Sequence, residues 1–557
     1  MSDQTLPADT LPIDHAAPRR DALAGLTPFG WSGGLAALVI GLAVSFFAFG
    51  YFAIYWRNAD MDFMVVYNAL VMNDGKPQEF FDHPGYLMIL SVEYAFRALH
   101  GLRLLDAWTL PAIPSALDVA AFDTAMTQAV RAGRLVAFVT GTAIVLVFAF
   151  LMRRVVRDWR VALLATFAFA FSGGVAVHLR ILRSEMLAAS LVVFALLVLI
   201  PQCRRGTAWR PLALAVVAAL CMLGLENKVH VIVLVAALPV LAIAFSEAGA
   251  ASAPFWRTSR WAWPAVALAA VLATVLVLSA RSIVAAGFDP RNIAAGYDPL
   301  NFAEAPLRPL LFGTYGVYQV GLLVYAAVAV AAFAALRRVA LAETLATLCA
   351  LAAGGALGLL ALDLQFNVQD AVAVINPLEK MISFSPFAAE GAAASAGAVL
   401  NMFEGGLVSV LKRYSFVLYT AARPTIFVLW LVLAGIVYAA RQGKWQLVLQ
   451  ATLLVLLATF VDCLGVPRGL KSEYFMFSDP LFIIAGALLL DALPQVTRLR
   501  GAYAVGLVLI VAHVVVAHPE PVKMVTKKSG PDYICEWNQI YQKLLPMPWC
   551  ELPPKHP

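Results

Sequence analysis

The stretch NADMDFMVVYNALVMNDGKPQEFFDHPGYLMIL, Asn58–Leu90, directly follows the first long apolar run of the chain. It gathers Asp60, Asp62, Asp74, Glu79, Asp82 and His83 in a sequence that is 62% hydrophobic and only 13% charged. A soluble domain carries roughly 25% charged residues. With a mean hydropathy of +0.81, the chain reads as a polytopic membrane protein whose acids stand at a membrane edge. Charges at that depth face water, a partner or a polar cavity.

A spanning helix needs about 20 mainly apolar residues, and the chain offers about thirteen such runs. They begin near Trp31, Ala129, Val161, Glu185, Pro211, Val229, Trp261, Tyr315, Glu343, Tyr414, Lys444, Tyr474 and Gly501. The expected fold is therefore an all-α bundle of transmembrane helices over residues 31–517. A disordered cytoplasmic lead, 1–30, precedes it, and a tail, 518–557, follows it. Basic residues collect at Arg19-Arg20, Arg153 to Arg160, Arg204 to Arg210, Arg257-Arg260, Arg337-Arg338, Arg441-Lys444 and Arg498-Arg500. All these clusters share one side if the count of spans is odd. Arg and Lys mark the cytoplasmic side, so the amino terminus is expected inside and the tail outside. The first apolar run is too long and too distant from Met1 for a cleavable signal. The net charge of +6 sits mostly in those loops and gives no sign of nucleic-acid binding.

Three longer external loops are expected, over 56–128, 281–313 and 363–413. In the first, Phe63 to Val71 and Tyr86 to Leu99 are apolar on one face at helical spacing, which predicts amphipathic helices lying at the interface. The short external turns are also charged. HLRILRSEM carries Arg180, Arg183 and Glu185; LENKVH carries Glu226 and Lys228; VPRGLKSEYF carries Arg468, Lys471, Glu473 and Tyr474. Together they describe a polar pocket on one membrane face, suited to an amphiphile with a charged head and an apolar tail. Plainer roles stand beside this: Glu185 paired with Arg183 or Arg180, Lys228 snorkelling, and His83 capping the helix that Pro84 opens. Cys535 and Cys550 both lie in the tail, either joined as a disulfide or as two thiols.

A carboxylate within hydrogen-bond reach of an acceptor hydroxyl can serve as general base. Cations can meanwhile hold a leaving phosphate as its charge develops. The residues that would do this resemble those of the GT-C superfamily of membrane glycosyltransferases. The likeness rests first on Asp60/Asp62 after the first span, Tyr67 and Ala69 at helical spacing, Gly75, and His83-Pro84-Gly85. LRSEMLAASLVVFALL (Leu182–Leu197), LENKVHVIVLVAALP (Leu225–Pro239) and KSEYFMFSDPLFIIAGALLL (Lys471–Leu490) are similar to later family segments, in the expected order. The superfamily includes protein O-mannosyltransferases, the bacterial lipid A aminoarabinose transferase, and mycobacterial mannosyl- and arabinosyltransferases. The family's Asp-Glu pair is replaced by Asp62-Phe63, and His-Pro-Gly stands for the commoner His-Pro-Pro.

The resemblance implies an inverting glycosyltransferase at the periplasmic face of a bacterial inner membrane. It would move one sugar from a polyprenyl-phosphate donor to a glycolipid, polysaccharide or protein hydroxyl. Asp62, or Asp60, would be the base; Lys228, Arg183, Lys471 and Arg468 would contact donor phosphate; Glu185, His83 and Tyr474 would orient sugar or acceptor. On that basis Asp62→Asn is expected to abolish transfer while leaving folding intact. No cofactor is required, although some relatives use a divalent cation, and the sequence holds no HExxH or Cys/His metal spacing and no Walker loop. An O-antigen-ligase-like enzyme using a pyrophosphate-linked glycan, a secondary transporter and a lipid carrier are the alternatives.

Overall fold

Side-chain capping sets where three of the described helices begin. The computed structural model describes residues 30–58, 62–76, 85–203, 210–246, 341–363, 396–415, 423–466, 470–492, 502–526 and 544–550, with positions 267, 271, 325, 328–333, 335–336 and 535. Within these the chain is helical, with no strand. The expected spans near Trp261 and Tyr315, the loop 281–313 and the larger part of the loop 363–413 lie outside the described residues.

Helix α1 is Gly30–Phe49; α2, Met64–Asn73, and α3, Tyr86–Gly101, follow in the first loop. Asp118 accepts the Ala121 N–H and opens α4, Val119–Val155; Asp158 accepts the Arg160 N–H and opens α5, Trp159–Ala170. Side-chain oxygens at these positions satisfy amides that have no partner within the helix. Ser172 does the same for the short α6, Gly173–His178. Then come α7, Glu185–Cys203; α8, Pro211–Asn227, with Pro at its first turn; α9, Ile232–Phe245; and α10, Leu341–Asp363. The rest are α11, Ala396–Ser415; α12, Ile426–Arg441; α13, Trp445–Gly465; α14, Asp479–Ala492; α15, Ala502–Ala517; and α16, Pro519–Thr526.

Among the described residues, four helices are long and apolar enough to cross a membrane: α1, α4, α7 and α13. Others stop short, and several do so at polar positions. The run expected from Val161 divides into α5 and α6 at Ser172. The run from Val229 begins as a 3-10 turn, Val229–Val231, and the run from Tyr474 as a 3-10 segment, Ser472–Phe477. Irregular backbone at membrane depth is tolerated where it is buried in protein. The span expected from Tyr414 starts later, at Ile426, because Tyr414 closes α11, a helix within the loop expected over 363–413.

The two ends of the bundle differ in chemistry. At one end the Asp491 carboxylate accepts the backbone N–H groups of Arg157 and Asp158, Lys444 reaches the Ala492 carbonyl, and Gln446 reaches the carbonyls of Ala244 and Ser246. Arg153, Arg154, Arg160 and Arg441 sit in these same turns. At 1.5 Å per residue the 37 residues of α4 extend about 55 Å, well beyond a hydrocarbon core of about 30 Å. Its amino-terminal part accordingly packs with α2, α3 and the aromatic residues of the first loop in a separate core that includes Phe63, Tyr67, Phe96 and Phe122.

Between the ends, helices approach through small residues, as is usual where lipid removes the hydrophobic drive for association. A Cβ on Gly354 of α10 would stand 2.0 Å from the Ala215 carbonyl oxygen of α8, and one on Gly358 would stand 2.9 Å from that of Ala219. The same device operates at the other end. A Cβ on Gly174 would lie 2.7 Å from the Met476 backbone nitrogen, so glycine lets α6 press against the 3-10 segment Ser472–Phe477.

Candidate functional site

The polar groups of four separate segments meet at the end away from the arginine-rich turns, around the strap Leu179–Ser184 that joins α6 to α7. Asp62 is fully buried, and its Oδ2 accepts Nε and Nη2 of Arg134, both at 2.9 Å. Its Oδ1 accepts the Leu182 backbone N–H at 2.8 Å. The Arg134 guanidinium also donates to the carbonyls of Ala53 and Ile54. One buried ion pair thus ties the exit of α1, the first loop and α4 to the strap.

Asn227, the last residue of α8, fastens the strap from the other side. Its side-chain amide donates to the Ser184 carbonyl at 3.0 Å. Its side-chain and backbone oxygens accept the amides of Leu87 and Gly85, which docks the start of α3. Gly85 has φ of +58°, a left-handed conformation that glycine adopts without steric cost.

The strap presents Arg183 and Glu185 to two other segments. Lys228 Nζ lies 3.1 Å from Glu185 Oε1, Arg183 Nε lies 3.8 Å from Glu185 Oε2, and Arg183 Nη1 lies 2.7 Å from Glu473 Oε1. His178 Nε2 stands 4.0 Å from Glu185 Oε2, while its Nδ1 pairs with the Gly174 carbonyl. The Glu185 and Lys228 side chains are almost wholly buried, whereas that of Glu473 keeps 15% of its surface. The convergence of charged turns expected from the sequence is therefore present for Arg183, Glu185, Lys228 and Glu473. Buried charges of this kind are tolerated when paired, and here two cations face two carboxylates.

Other expected residues are placed differently. Lys471 is exposed at the start of the 3-10 segment, and Tyr474 packs against the main apolar core. Asp60, His83 and Arg468 lie outside the described residues, as does the side chain of Glu226. Arg180 is buried and turned away from the carboxylates, toward the Ala176 carbonyl and Ser45 Oγ. Among the described residues no group of three His, Cys, Asp or Glu could hold a metal ion.

Sequence reading named no role for a second buried constellation at the same end. Arg423 pairs with Asp462 and Asp479, its Nη2 donates to Ser478 Oγ at 2.7 Å, and Tyr414 donates to Asp462 at 2.7 Å. The guanidinium also lies 4.2 Å from the Phe475 ring centroid. Arg423, Asp462 and Asp479 each stand as a lone charge in or beside an apolar run, and Arg134, one turn after Arg131, opens one. That was the available signal, since an ionisable group at such a position needs a partner.

The carboxyl tail closes over the first loop. Cys535 and Cys550 form a disulfide 15 residues apart in sequence. Leu545 and Met547 are buried in the first-loop core, and the Leu544 N–H donates to the Tyr67 hydroxyl. The Trp549 ring lies 5.6 Å from Trp56 and 6.1 Å from Tyr55. Burial holds the Tyr55 phenol well above its ordinary range, and its hydrogen bond to Asp123 adds to this. In the chain-entropy account a loop of this length is worth about 3 kcal/mol. Cys550→Ser is therefore expected to free the tail and make 544–550 sensitive to added protease. Equal resistance of variant and wild type would show that apolar docking alone holds the tail.

Compared with known protein families, with curated proteins and with solved structures, the chain matches none.

Proposed function

We propose that this chain is a GT-C-type membrane glycosyltransferase of about thirteen spans. It transfers one sugar from a polyprenyl-phosphate donor to an acceptor hydroxyl at the periplasmic face of a bacterial inner membrane. The observation that carries the proposal is the meeting of Arg183 and Lys228 from two different turns on Glu185, with Arg183 also paired to Glu473, at one end of an apolar helical bundle. Two cations held this way can neutralise a phosphate as its bond to the sugar breaks, which is where transition-state charge grows. The sidedness is supported by the opposite end, whose described turns hold Arg153, Arg154, Arg160 and Arg441, residues of the type that marks a cytoplasmic face. The tail disulfide, of a kind that persists in oxidising compartments, packs on the first loop.

The geometry of Asp62 argues against its being the base. Both oxygens of Asp62 are engaged, by Arg134 and by the Leu182 amide. Asp62 is thus a positioning residue in this proposal, holding the strap beside Arg183, and Asp60 takes the acceptor proton.

The test incubates purified protein with a panel of polyprenyl-phosphate monosaccharides and a membrane extract as acceptor, and follows release of free polyprenyl phosphate. Release is expected from at least one donor. Lys228→Ala should weaken donor binding about 10- to 100-fold, the worth of a charge-assisted hydrogen bond. Unchanged donor affinity would return Lys228 to a purely structural partnership with Glu185. No release from any donor would favour the pyrophosphate-glycan ligase or the carrier.

A further inference from the structure

We infer that Glu473 is an internal counter-ion that a phosphate anion displaces from Arg183 on binding. This rests on the reading of Arg183 and Lys228 as an anion site and adds how that site is kept in the free protein.

Among the described residues Arg183 and Lys228 set two positive charges against the two carboxylates of Glu185 and Glu473. An arriving phosphate adds negative charge to a buried, low-dielectric cluster. Such a cluster tolerates an extra anion poorly unless a carboxylate withdraws. Glu185 cannot withdraw without breaking several contacts, because it faces Lys228, Arg183 and His178 at once and its side chain is 1% exposed. Glu473 is held differently. Its ion pair is with Arg183 alone among the described residues, and its side chain is the most exposed of the four.

The backbone around Glu473 also favours release. Glu473 sits on the six-residue segment Ser472–Phe477, a 3-10 turn of poorer hydrogen-bond geometry than an α-helix. Leu470, just before it, has φ of +48°, which a leucine adopts at a steric cost. Behind it the segment is anchored, by Met476 against Gly174 and by Ser478 and Asp479 on Arg423. The side chain can therefore turn outward while the segment stays in place. Arg183 is then presented to the anion, and the released carboxylate turns toward its exposed side.

The test uses the full chain in detergent with two probes, geranyl phosphate and inorganic phosphate. Glu473→Gln removes the competing charge and keeps the shape. It should bind at least one probe about tenfold tighter than wild type, a modest share of the repulsion between charges about 4 Å apart. A larger gain for geranyl phosphate assigns the site to a lipid headgroup, and an equal gain assigns it to free phosphate. In wild type, carbodiimide labelling of Glu473, read by peptide mass spectrometry, should rise when the probe is added. That second readout decides the matter if the variant folds poorly.

Wild type that binds phosphate, with Glu473→Gln no tighter and labelling unchanged, overturns the displacement while leaving the anion site standing. Failure of both proteins to bind either probe overturns the anion site itself, and the displacement with it.

Discussion

Arg134→Met is expected to destabilise the protein by about 3–5 kcal/mol, because it leaves the Asp62 carboxylate buried without its counter-charge. Asp62 is fully buried and Arg134 is 0% exposed, so water cannot take over either role. Asp62→Asn should also be costly, since it strands the guanidinium, although the Ala53 and Ile54 carbonyls still accept from it. The double variant should recover much of the loss, because no uncompensated charge remains. Thermal unfolding in detergent for the four proteins gives the double-mutant cycle, with an expected coupling of about 2–3 kcal/mol. Simple additivity would mean that the two residues do not depend on each other and that the buried pair is misassigned. The sequence alone suggested that Asp62→Asn would spare folding. The reason it should not is Arg134, which lies 72 residues away in the chain.

That distance explains which features were legible in the sequence. Helix starts at Glu185, Pro211 and Trp445 follow from local rules: a charge at the edge of an apolar run, Pro at the first turn, a turn with Gly. The helical start of α3 follows from apolar periodicity, whereas α2, expected to be apolar on one face at the interface, is buried on all sides from Met64 to Val71 because the first-loop core encloses it. Local rules also brought Arg183, Glu185 and Lys228 to attention, since each stands in a short charged turn between two apolar runs. What they do not give is which lone charge meets which. Asp62 reads as a carboxylate open to an acceptor hydroxyl because nothing near it in sequence is basic except Arg57. Likewise Asn227, flanked by the more conspicuous Glu226 and Lys228, docks α3 through contacts 140 residues apart. Helix breaks inside apolar runs are hidden for a related reason. Hydropathy counts apolar residues and continues through Ser172 or Ser478, whereas the helix breaks there: Ser172 caps α6 and Ser478 accepts from the buried Arg423.

Arg423→Met should have an effect at least as large as that at Arg134, because two buried carboxylates lose one guanidinium. Asp462 is 3% exposed and Asp479 0%, and they reach Arg423 across 39 and 56 residues of chain. A loss of about 3–5 kcal/mol is the expectation for breaking one such pair, and the second carboxylate adds to it. Arg423→Lys should recover only a small part. An ammonium cannot bridge both carboxylates while also donating to Ser478 and lying flat on Phe475, as the planar fork does. Arg423→Met combined with Asp462→Asn and Asp479→Asn should recover more than the lysine variant, since the fault lies in stranded charge and not in lost volume. The site supplies a second readout. Ser478 and Asp479 anchor the carboxyl side of the segment that carries Glu473, so loosening them should raise carbodiimide labelling of Glu473 in Arg423→Met even without phosphate. If stability falls as expected while that labelling stays at the wild-type level, the Arg423 constellation is a fastening for α12, α13 and α14 only. If both move together, the same buried arginine sets how firmly Arg183 keeps its carboxylate.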